Sequence, residues 1–372
     1  MDHVDRLCAM DTAEGLQGRL QALLEGIRTR HPALERVAVA LHDPPTGRLR
    51  AAFHATVGPT PLPFYEAELA EVPGLARLRE TRQPRVVQDL ATLDSDRPHT
   101  RALRAAGYGA SYTLPLVWDS LFEGFVFFDA RPSHSLTPEL LDTLDLAGRL
   151  AGAAVLGELQ ASRTLQAAVR GATRMVHARD PETGGHLQRM AHYSRLIAVD
   201  LARGGVTALN EEAVEHLFAF APMHDLGKLG IPDQVLFKEA PLDAEERRVM
   251  QRHPSLGRQL VDDLLDAFGL GHLPQADLLR QIAEGHHEKR DGTGYPEGLH
   301  DGQVPLAARI VAVADIFDAL TTHRPYKDPW PNARAFAYLE TEARAHLDPA
   351  CVAALMSHPD EIERIQRTFR DA

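Results

Sequence analysis

Two short segments of the sequence combine residue types that suit metal ions. His224 and Asp225 are adjacent at the end of an apolar run, and His286 and His287 are adjacent at the start of a glycine-rich stretch. Imidazole and carboxylate groups together suit divalent transition metals, and one carboxylate can join two ions. Adjacent histidines are costly to bury without polar partners. Both segments therefore predict a metal site, whereas a HisAsp pair alone is more often a surface feature.

Four other residues could complete such a site. Glu182 and His186 are four positions apart, which places both side chains on one face if the segment is helical, although two intervening glycines weaken a helix. Asp315 lies in an apolar helical segment, where a carboxylate needs a cation or a polar network. His253, which precedes a proline, would by itself be interpreted as a structural residue.

The elements that must position these residues are predicted to be helices. After residue 178, apolar residues recur at helical spacing, and strand patterns are essentially absent. The predicted helices are 186–203, 210–223, 243–266, 274–287, 305–322 and 332–345. An all-α domain is therefore expected in the second half of the chain.

The first half of the chain has a different pattern. A helical segment at 13–31 is followed by strand-like runs at 37–42, 49–57, 85–87, 111–116 and 124–129. A ProProThrGly turn between the first two runs predicts a hairpin. Thr137 and Pro138 suit the N-cap and first turn of a helix that continues to about residue 177. We expect an α+β sheet domain with helices on one side, and a long helix that connects it to the second domain.

Composition excludes several functional classes. The chain has 372 residues, a hydrophobic fraction of 44% and a formal net charge of −12, which is typical of globular domains and argues against non-specific nucleic-acid binding. It has no run of about 18 apolar residues, so no membrane span is expected. The absence of an apolar N-terminal segment and the low cysteine content favour a cytoplasmic protein. Of its 19 histidines, 13 lie in residues 171–372, together with the candidate site.

The second half resembles the HD-GYP family, a branch of the HD-domain metal phosphohydrolases. The resemblance extends from about Arg179 to Pro349 and rests on motifs that occur in order. They are RDPETGGH at 179–186, HDLGKLGIP at 224–232, HHEKRDGTGYP at 286–296, ARIVAVADIFDALT at 308–321 and RPYK at 324–327. The resemblance implies that eight residues are metal ligands: Glu182, His186, His224, Asp225, His253, His286, His287 and Asp315.

The resemblance also implies the catalytic and substrate-binding residues. Asp225 would join the metals, and Lys228 would act with it and contact a substrate phosphate, as would Arg324 and Lys327. Tyr295 would shape the substrate site. The phosphate contacts have separate support in the composition, because the chain has 36 arginines but only 4 lysines, and three of these lysines lie in or beside the motifs.

Members of the family hydrolyse the bacterial messenger cyclic di-GMP. We therefore expect metal-dependent hydrolysis to pGpG and onward to GMP, with two or three divalent ions, iron or alternatively manganese. Glu182 predicts the third ion, since in the family a Glu here accompanies it; otherwise it is a solvated residue at a helix start. The alternatives are a phosphodiesterase for cyclic GMP–AMP, or a non-catalytic receptor that acts through a protein partner. His323 and the lack of a glycine before 346–349 depart from the family pattern and leave room for another substrate preference.

The first half resembles a GAF domain. The resemblance rests on FFD at 127–129, SHSLTPE at 133–139 and the helical LDLAGRLAGAAV at 144–155. Such domains bind small ligands or mediate dimers, and the residues favour neither role. The expected organisation is a sensor or dimerisation domain at 13–158, a connecting helix at 159–177 and an HD-GYP domain at 178–372. We expect a homodimer, and a protein partner that binds through the GlyTyrPro loop.

Overall fold

The computed structural model describes residues 15–93, 97–118, 120–177, 184–269, 276–323 and 328–371. The chain divides into two compact units, Met1–Ala161 and Ser162–Ala372. The first is an α+β unit and the second is helical, as the sequence predicts. The domain boundaries at 158 and 178 stay predictions, because one continuous helix crosses this region.

The first unit is built on a six-stranded sheet. Its helices are α1 (Gly15–Arg28), α2 (Pro73–Thr81) and α3 (Pro98–Ala105), and α4 (Pro138–His177) begins in it. Its strands are β1 (Leu34–Asp43), β2 (Arg48–Thr56), β3 (Glu66–Glu68), β4 (Arg85–Val87), β5 (Ala110–Trp118) and β6 (Leu121–Ala130). The strand order is β3-β2-β1-β6-β5-β4, and every neighbouring pair is antiparallel. The predicted hairpin of β1 and β2 is confirmed.

The main core lies between one face of the sheet and two helices. Leu20 and Leu24 of α1 and Leu144 of α4 are completely buried there, together with Val39 and Phe128 of the sheet. Each such side chain contributes about 1.5–3 kcal/mol to stability through burial. Thr137 caps α4 as predicted, since its Oγ1 accepts the N–H of Leu140 at 3.3 Å.

A shorter layer covers the opposite face of the sheet, which the sequence analysis did not predict. Leu75 and Leu78 of α2 pack there against Leu49 and Phe125 of the strands. Helices therefore lie on both faces of the sheet, although the two longest helices of this unit, α1 and α4, pack on the same face. The short strand β3 was also missed, because three residues are too few to establish a period, and glutamate and alanine are uncommon in strands.

The second unit is helical throughout its named elements. They are α5 (Gly184–Arg203), α6 (Glu211–Phe220), α7 (Asp233–Leu236), α8 (Ala244–Met250), α9 (His253–Ala267), α10 (Ala276–Gly285), α11 (Leu306–Thr321), α12 (Asn332–Glu342), α13 (Pro349–Met356) and α14 (Pro359–Thr368). Most of α11 is buried, and it lies against α5, α10 and α12. Among the described helices, none has the length and hydropathy required to cross a bilayer.

One predicted helix is wrong in a way that matters for the site. The sequence predicts a single helix over 243–266, but the structure ends α8 at Met250 and starts α9 at His253. Pro254 then occupies the first turn of α9, where a missing N–H has no cost. His253 consequently lies at a helix start, facing the metal-binding candidates.

Candidate metal centre

Asp225 occupies a tight connection between helices. After α6, short 3₁₀ turns at Ala221–Met223 and Leu226–Gly230 lead the chain through His224 and Asp225. Gly227 in the second turn packs against the backbone of α9, where a Cβ atom would lie 1.8 Å from the carbonyl oxygen of His253. This close approach brings Nε2 of His253 to 3.2 Å from Oδ1 of Asp225.

Seven of the eight predicted ligands lie in two adjoining groups. Within each group, one nitrogen or oxygen from every residue lies within 4.8 Å of the others. The first group is Asp225, His253, His286 and His287, and the second is His186, His224 and Asp315. Residues from α5, α9, α11 and two connecting segments are thus brought together from positions more than a hundred residues apart.

Asp225 lies between the two groups. Its Oδ1 atom faces Nε2 of His253 at 3.2 Å and Nε2 of His286 at 3.7 Å. Its Oδ2 atom is 3.3 Å from Nε2 of His224. Because each oxygen faces a different group, this carboxylate is placed to bind two ions at once.

Four of the histidines are anchored through Nδ1. In three of them Nδ1 donates to a backbone carbonyl, which can only accept, so the tautomer is fixed by the partner. These bonds are His224 to Ala221 at 3.0 Å, His253 to Met250 at 2.9 Å and His286 to Ile282 at 3.0 Å. In the fourth, Nδ1 of His186 is 2.8 Å from Oδ2 of Asp318. When neutral, all four rings therefore present the Nε2 lone pair, as histidine metal ligands do.

The inward-facing atoms fit a cation. Nε2 of His253 and Nε2 of His286 are 3.2 Å apart, and with both Nδ1 atoms donating, two lone pairs face each other. Such an arrangement is repulsive unless a positive charge lies between the two nitrogens. Nε2 of His224 and Oδ1 of Asp225 are also buried, with no hydrogen-bond partner among the described residues. Nitrogen and carboxylate donors of this kind suit a transition metal.

The electrostatics favour the charge states that metal ligands need at Asp225, His286 and His287. Burial alone would raise the pKa of Asp225, but Lys228 and His224 hold it well below the usual range, so the carboxylate is ionised. Burial lowers the pKa of His286 and of His287, which keeps both rings neutral. Burial would also lower the pKa of His224, yet Asp225 and Asp315 raise it to about 9. A bound metal would compete with that proton.

Two of the predicted substrate-binding residues, Lys228 and Tyr295, lie beside the candidate metal ligands. Nζ of Lys228 is 2.7 Å from Oδ2 of Asp225, so its charge lies beside the candidate metal ligands. The ring of Tyr295 stacks on that of His287, with centroids 4.7 Å apart and planes at 30°. Glu182, Arg324 and Lys327 lie outside the described residues.

The loop that carries Tyr295 is held by a residue the sequence analysis missed. The buried carboxylate of Glu288 accepts the N–H groups of Glu297 at 2.7 Å and Leu299 at 2.9 Å. Gly294 lets the loop fold back, since a Cβ atom there would lie 2.3 Å from the Lys289 nitrogen. The sequence feature that could have identified Glu288 was its position directly after two histidines.

A second missed residue supports His186. Asp318 is 1% exposed, and its carboxylate contacts Nδ1 of His186 and accepts two bonds from the Arg189 guanidinium, at 2.6 and 3.0 Å. Arg189 also bonds to Asp371 at 3.1 Å. The signal in the sequence was a second acidic residue three positions after Asp315, in the same apolar helix.

A comparison with protein families covers this unit. Residues 172–351 match the family model described as HD domain. The helical unit contains an HD domain. All seven of the clustered candidate ligands fall within the matched residues of this HD domain.

Curated proteins with similar sequences are cyclic-dinucleotide phosphodiesterases by name. The "Cyclic di-GMP phosphodiesterase response regulator RpfG" of Xanthomonas campestris pv. campestris is 42% identical over 199 residues, which are 54% of this chain and 49% of that protein. A "Cyclic di-GMP phosphodiesterase" of Thermotoga maritima is 36% identical over 52% of this chain and 49% of its own length. The "3'3'-cGAMP-specific phosphodiesterase 2" of Vibrio cholerae is 36% identical over 53% of this chain and 35% of its own length. This chain thus spans about half the length of these relatives, or less.

The fold of part of the chain is similar to a solved GAF structure. The phycocyanobilin-bound GAF domain from a cyanobacterial phytochrome matches 42% of this chain and 94% of its own length, at 16% identity and a TM-score of 0.33. A likeness at this level carries no argument. The assignment of residues 13–158 as a GAF domain stays a prediction.

The contacts of Asp318 lead to a testable expectation for the HD domain. The Asp318→Asn variant should bind metal about 10–100-fold more weakly, because replacing a residue that orients a metal ligand typically weakens metal binding by this factor. It should also lower the free energy of unfolding by about 3 kcal/mol, since Arg189 stays buried with a weaker partner. Titration with manganese and thermal unfolding measure the two effects. Asp263→Asn, which makes the same change at an exposed position of α9, serves as control. Equal metal affinity in the two variants would show that Asp318 does not support the metal site.

Proposed function

We propose that this HD domain belongs to the HD-GYP branch and hydrolyses cyclic di-GMP in a metal-dependent reaction. The observation that carries the proposal is the placement of Asp225, with one oxygen toward each of two groups of candidate ligands. The names of the similar proteins supply the substrate class. Hydrolysis of one phosphodiester bond would give pGpG as the first product.

The proposed metal ligands are the seven clustered residues and Glu182. Mixed imidazole and carboxylate donors suit iron, or alternatively manganese. When bound, such ions supply Lewis-acid stabilisation of phosphate charge and activate water at neutral pH. The fit rests on the facing Nε2 lone pairs and on two buried atoms, Nε2 of His224 and Oδ1 of Asp225, that have no hydrogen-bond partner in the described part of the chain.

The chain's own charged residues would bind and orient the substrate. Lys228 is a compact cation beside Asp225 and would contact a non-bridging phosphate oxygen. Arg324 and Lys327 are proposed to grip the second phosphate, on the strength of the RPYK motif alone. Tyr295, stacked on His287, forms part of the wall against which the substrate would lie.

The proposal is tested by product analysis with protein purified without oxygen. The full chain should convert cyclic di-GMP to pGpG, and a chelator should stop the reaction until iron or manganese is restored. Protein that contains the metal and folds normally, yet binds the messenger without cleaving it, would point instead to a receptor that acts through a protein partner.

A second substrate has specific support among the similar proteins. One of those described above is named as specific for 3'3'-cGAMP. The mixed dinucleotide shares both phosphates with cyclic di-GMP, so metal and lysine contacts alone cannot separate the two. Competition between the two messengers measures the selectivity directly. A ratio of kcat/KM in favour of cyclic GMP–AMP would assign the site to that messenger.

We further propose a third metal that carries hydrolysis on to GMP. Glu182, which lies outside the described residues, would be its extra ligand. The Glu182→Gln variant should bind fewer ions than the wild type and should slow breakdown of pGpG more than opening of the cyclic dinucleotide, because the added charge would stabilise a terminal phosphate. Metal analysis and separate assays with pGpG test this. Unchanged metal content with a normal rate of GMP release would show that Glu182 is not a ligand.

The N-terminal unit is proposed to regulate the enzyme or mediate a homodimer. Among its described residues no cluster of candidate metal ligands occurs, so it should not take part in the chemistry. A fragment that starts near residue 160 should keep the metal and some turnover. A folded, metal-loaded but inert fragment would show that the first unit contributes to catalysis. Recruitment of a protein partner through the GlyTyrPro loop also stays a proposal.

A further inference from the structure

The segment that follows α14 folds back onto the beginning of α5. Phe369 is 8% exposed, and its ring stacks on that of His192, with centroids 4.8 Å apart and planes at 26°. The carbonyl oxygen of Phe369 and Oδ2 of Asp371 accept hydrogen bonds from the Arg189 guanidinium, at 2.7 and 3.1 Å. Arg189 and His192 are three positions apart in α5, so one face of this helix makes both contacts.

Gly185 allows this segment to approach the backbone of α5. A Cβ atom at this position would lie 2.5 Å from Oδ1 of Asp371 and 2.9 Å from the carbonyl oxygen of Phe369. A larger side chain would therefore push the segment away from the helix. Because Gly185 directly precedes His186, the segment packs beside a candidate metal ligand.

Arg189 joins the segment to Asp318. Its Nε and Nη2 atoms donate to the two carboxylate oxygens of Asp318 at 2.6 and 3.0 Å, whereas Nη1 donates to Phe369 and Nη2 also donates to Asp371. Since a guanidinium is planar and rigid, acceptors on two of its edges fix its orientation. Burial would lower the pKa of Arg189, but the carboxylates of Asp318 and Asp371 raise it. One buried cation therefore holds two carboxylates.

Asp318 connects Arg189 to the candidate metal centre. Its Oδ2 atom accepts the bond from Nη2 of Arg189 and lies 2.8 Å from Nδ1 of His186. A rotation of the guanidinium would therefore move the oxygen that orients the His186 ring. Asp371 lies beyond residues 172–351, which match the HD family. Its connection to the centre depends on the tertiary fold and not on a family motif.

We propose that Asp371 is a positioning residue for the metal centre, which acts through Arg189 and Asp318 to hold His186 in the orientation that binds a metal ion. The inference rests on the proposed function, because it takes His186 as a ligand. Without the Asp371 carboxylate, Arg189 would keep Asp318 on one edge and lose a charged acceptor on another. Asp318 and His186 would then adopt other orientations, and metal binding would weaken.

The test compares Asp371→Ala with Asp263→Ala, which removes the same charge from an exposed position of α9. Manganese binding to the full-length chain is followed by electron paramagnetic resonance of the free ion, which gives the affinity of each binding step. Hydrogen–deuterium exchange of residues 184–192 is measured in the same chain without metal. Asp318→Asn and the double variant Asp318→Asn/Asp371→Ala complete a cycle that measures whether the two carboxylates act together.

Asp371→Ala should weaken one manganese-binding step about three- to tenfold, less than Asp318→Asn does, because Asp371 is one side chain further from the ligand. The weakened step should be the one that Asp318→Asn also weakens. In the Asp318→Asn background, Asp371→Ala should change this affinity by less than about twofold. Exchange of residues 184–192 should rise in metal-free Asp371→Ala and stay unchanged in Asp263→Ala.

Unchanged affinity in Asp371→Ala would overturn the proposal, as would an equal loss at every binding step, which indicates general destabilisation. Independent, additive losses in the double variant would show that Asp371 does not act through Asp318. A wild type that binds neither manganese nor iron would contradict the proposed metal centre itself, and this proposal with it. The behaviour of the wild type therefore distinguishes the two failures.

Discussion

The Asp225→Asn variant is expected to lose turnover of cyclic di-GMP by about 10³-fold, which corresponds to about 4 kcal/mol in the activation barrier. Asparagine has the same shape but keeps only one oxygen, so it cannot present an oxygen to both groups of ligands. Its amide N–H₂ would face either His224 or His253, whose Nε2 atoms lie 3.3 and 3.2 Å from the present carboxylate oxygens. Bound metal should fall in parallel.

Steady-state assays and metal analysis on the same preparation measure both effects. Asp263→Asn makes the same chemical change at an exposed position of α9 and should behave like the wild type. If the Asp225→Asn variant keeps its full complement of metal and turns over within a few-fold of normal, Asp225 does not join the two groups and the proposed centre is wrong.

Gly227→Ala should disrupt the centre through the backbone. The added Cβ atom would lie 1.8 Å from the carbonyl oxygen of His253 and 2.3 Å from the nitrogen of Gly257. Neither atom can move without shifting α9, and His253 would move away from Asp225 with it. We expect the free energy of unfolding to fall by about 3 kcal/mol, with loss of metal and of turnover.

A neighbouring glycine provides the matched control. At Gly230, in the same 3₁₀ turn, the three atoms nearest to an added Cβ atom all belong to the Leu256 side chain, with Cδ1 at 3.0 Å. That side chain can rotate, so Gly230→Ala should change stability and metal content only slightly. Calorimetric unfolding of both variants measures the contrast. Equal stability of the two would mean that α9 can move away from this turn without cost.

Much of the fold could be predicted from periodicity and turn chemistry. The alternation of β1 and β2, the ProProThrGly turn and the cap at Thr137 are local signals, and local contacts satisfy them. The break between α8 and α9 was missed because apolar spacing continues across it. Pro254 marked the break, since proline favours the first turn of a helix.

The candidate site could be predicted only in part. All of its histidines except His253, together with Asp315, lie in recognisable motifs, so their residue types predict the chemistry. Asp318 and Glu288 have roles that depend on tertiary contacts: Asp318 meets a histidine 132 positions earlier in the chain. No short sequence pattern reports such contacts.

The most direct test of the metal-dependent site is elemental analysis of the full-length chain purified without oxygen, with turnover measured on the same sample. The account predicts about two or more divalent ions per chain, iron or manganese, whose removal abolishes hydrolysis of cyclic di-GMP and whose return restores it. Protein that contains less than about one ion per chain and still hydrolyses cyclic di-GMP in the presence of a chelator would contradict it.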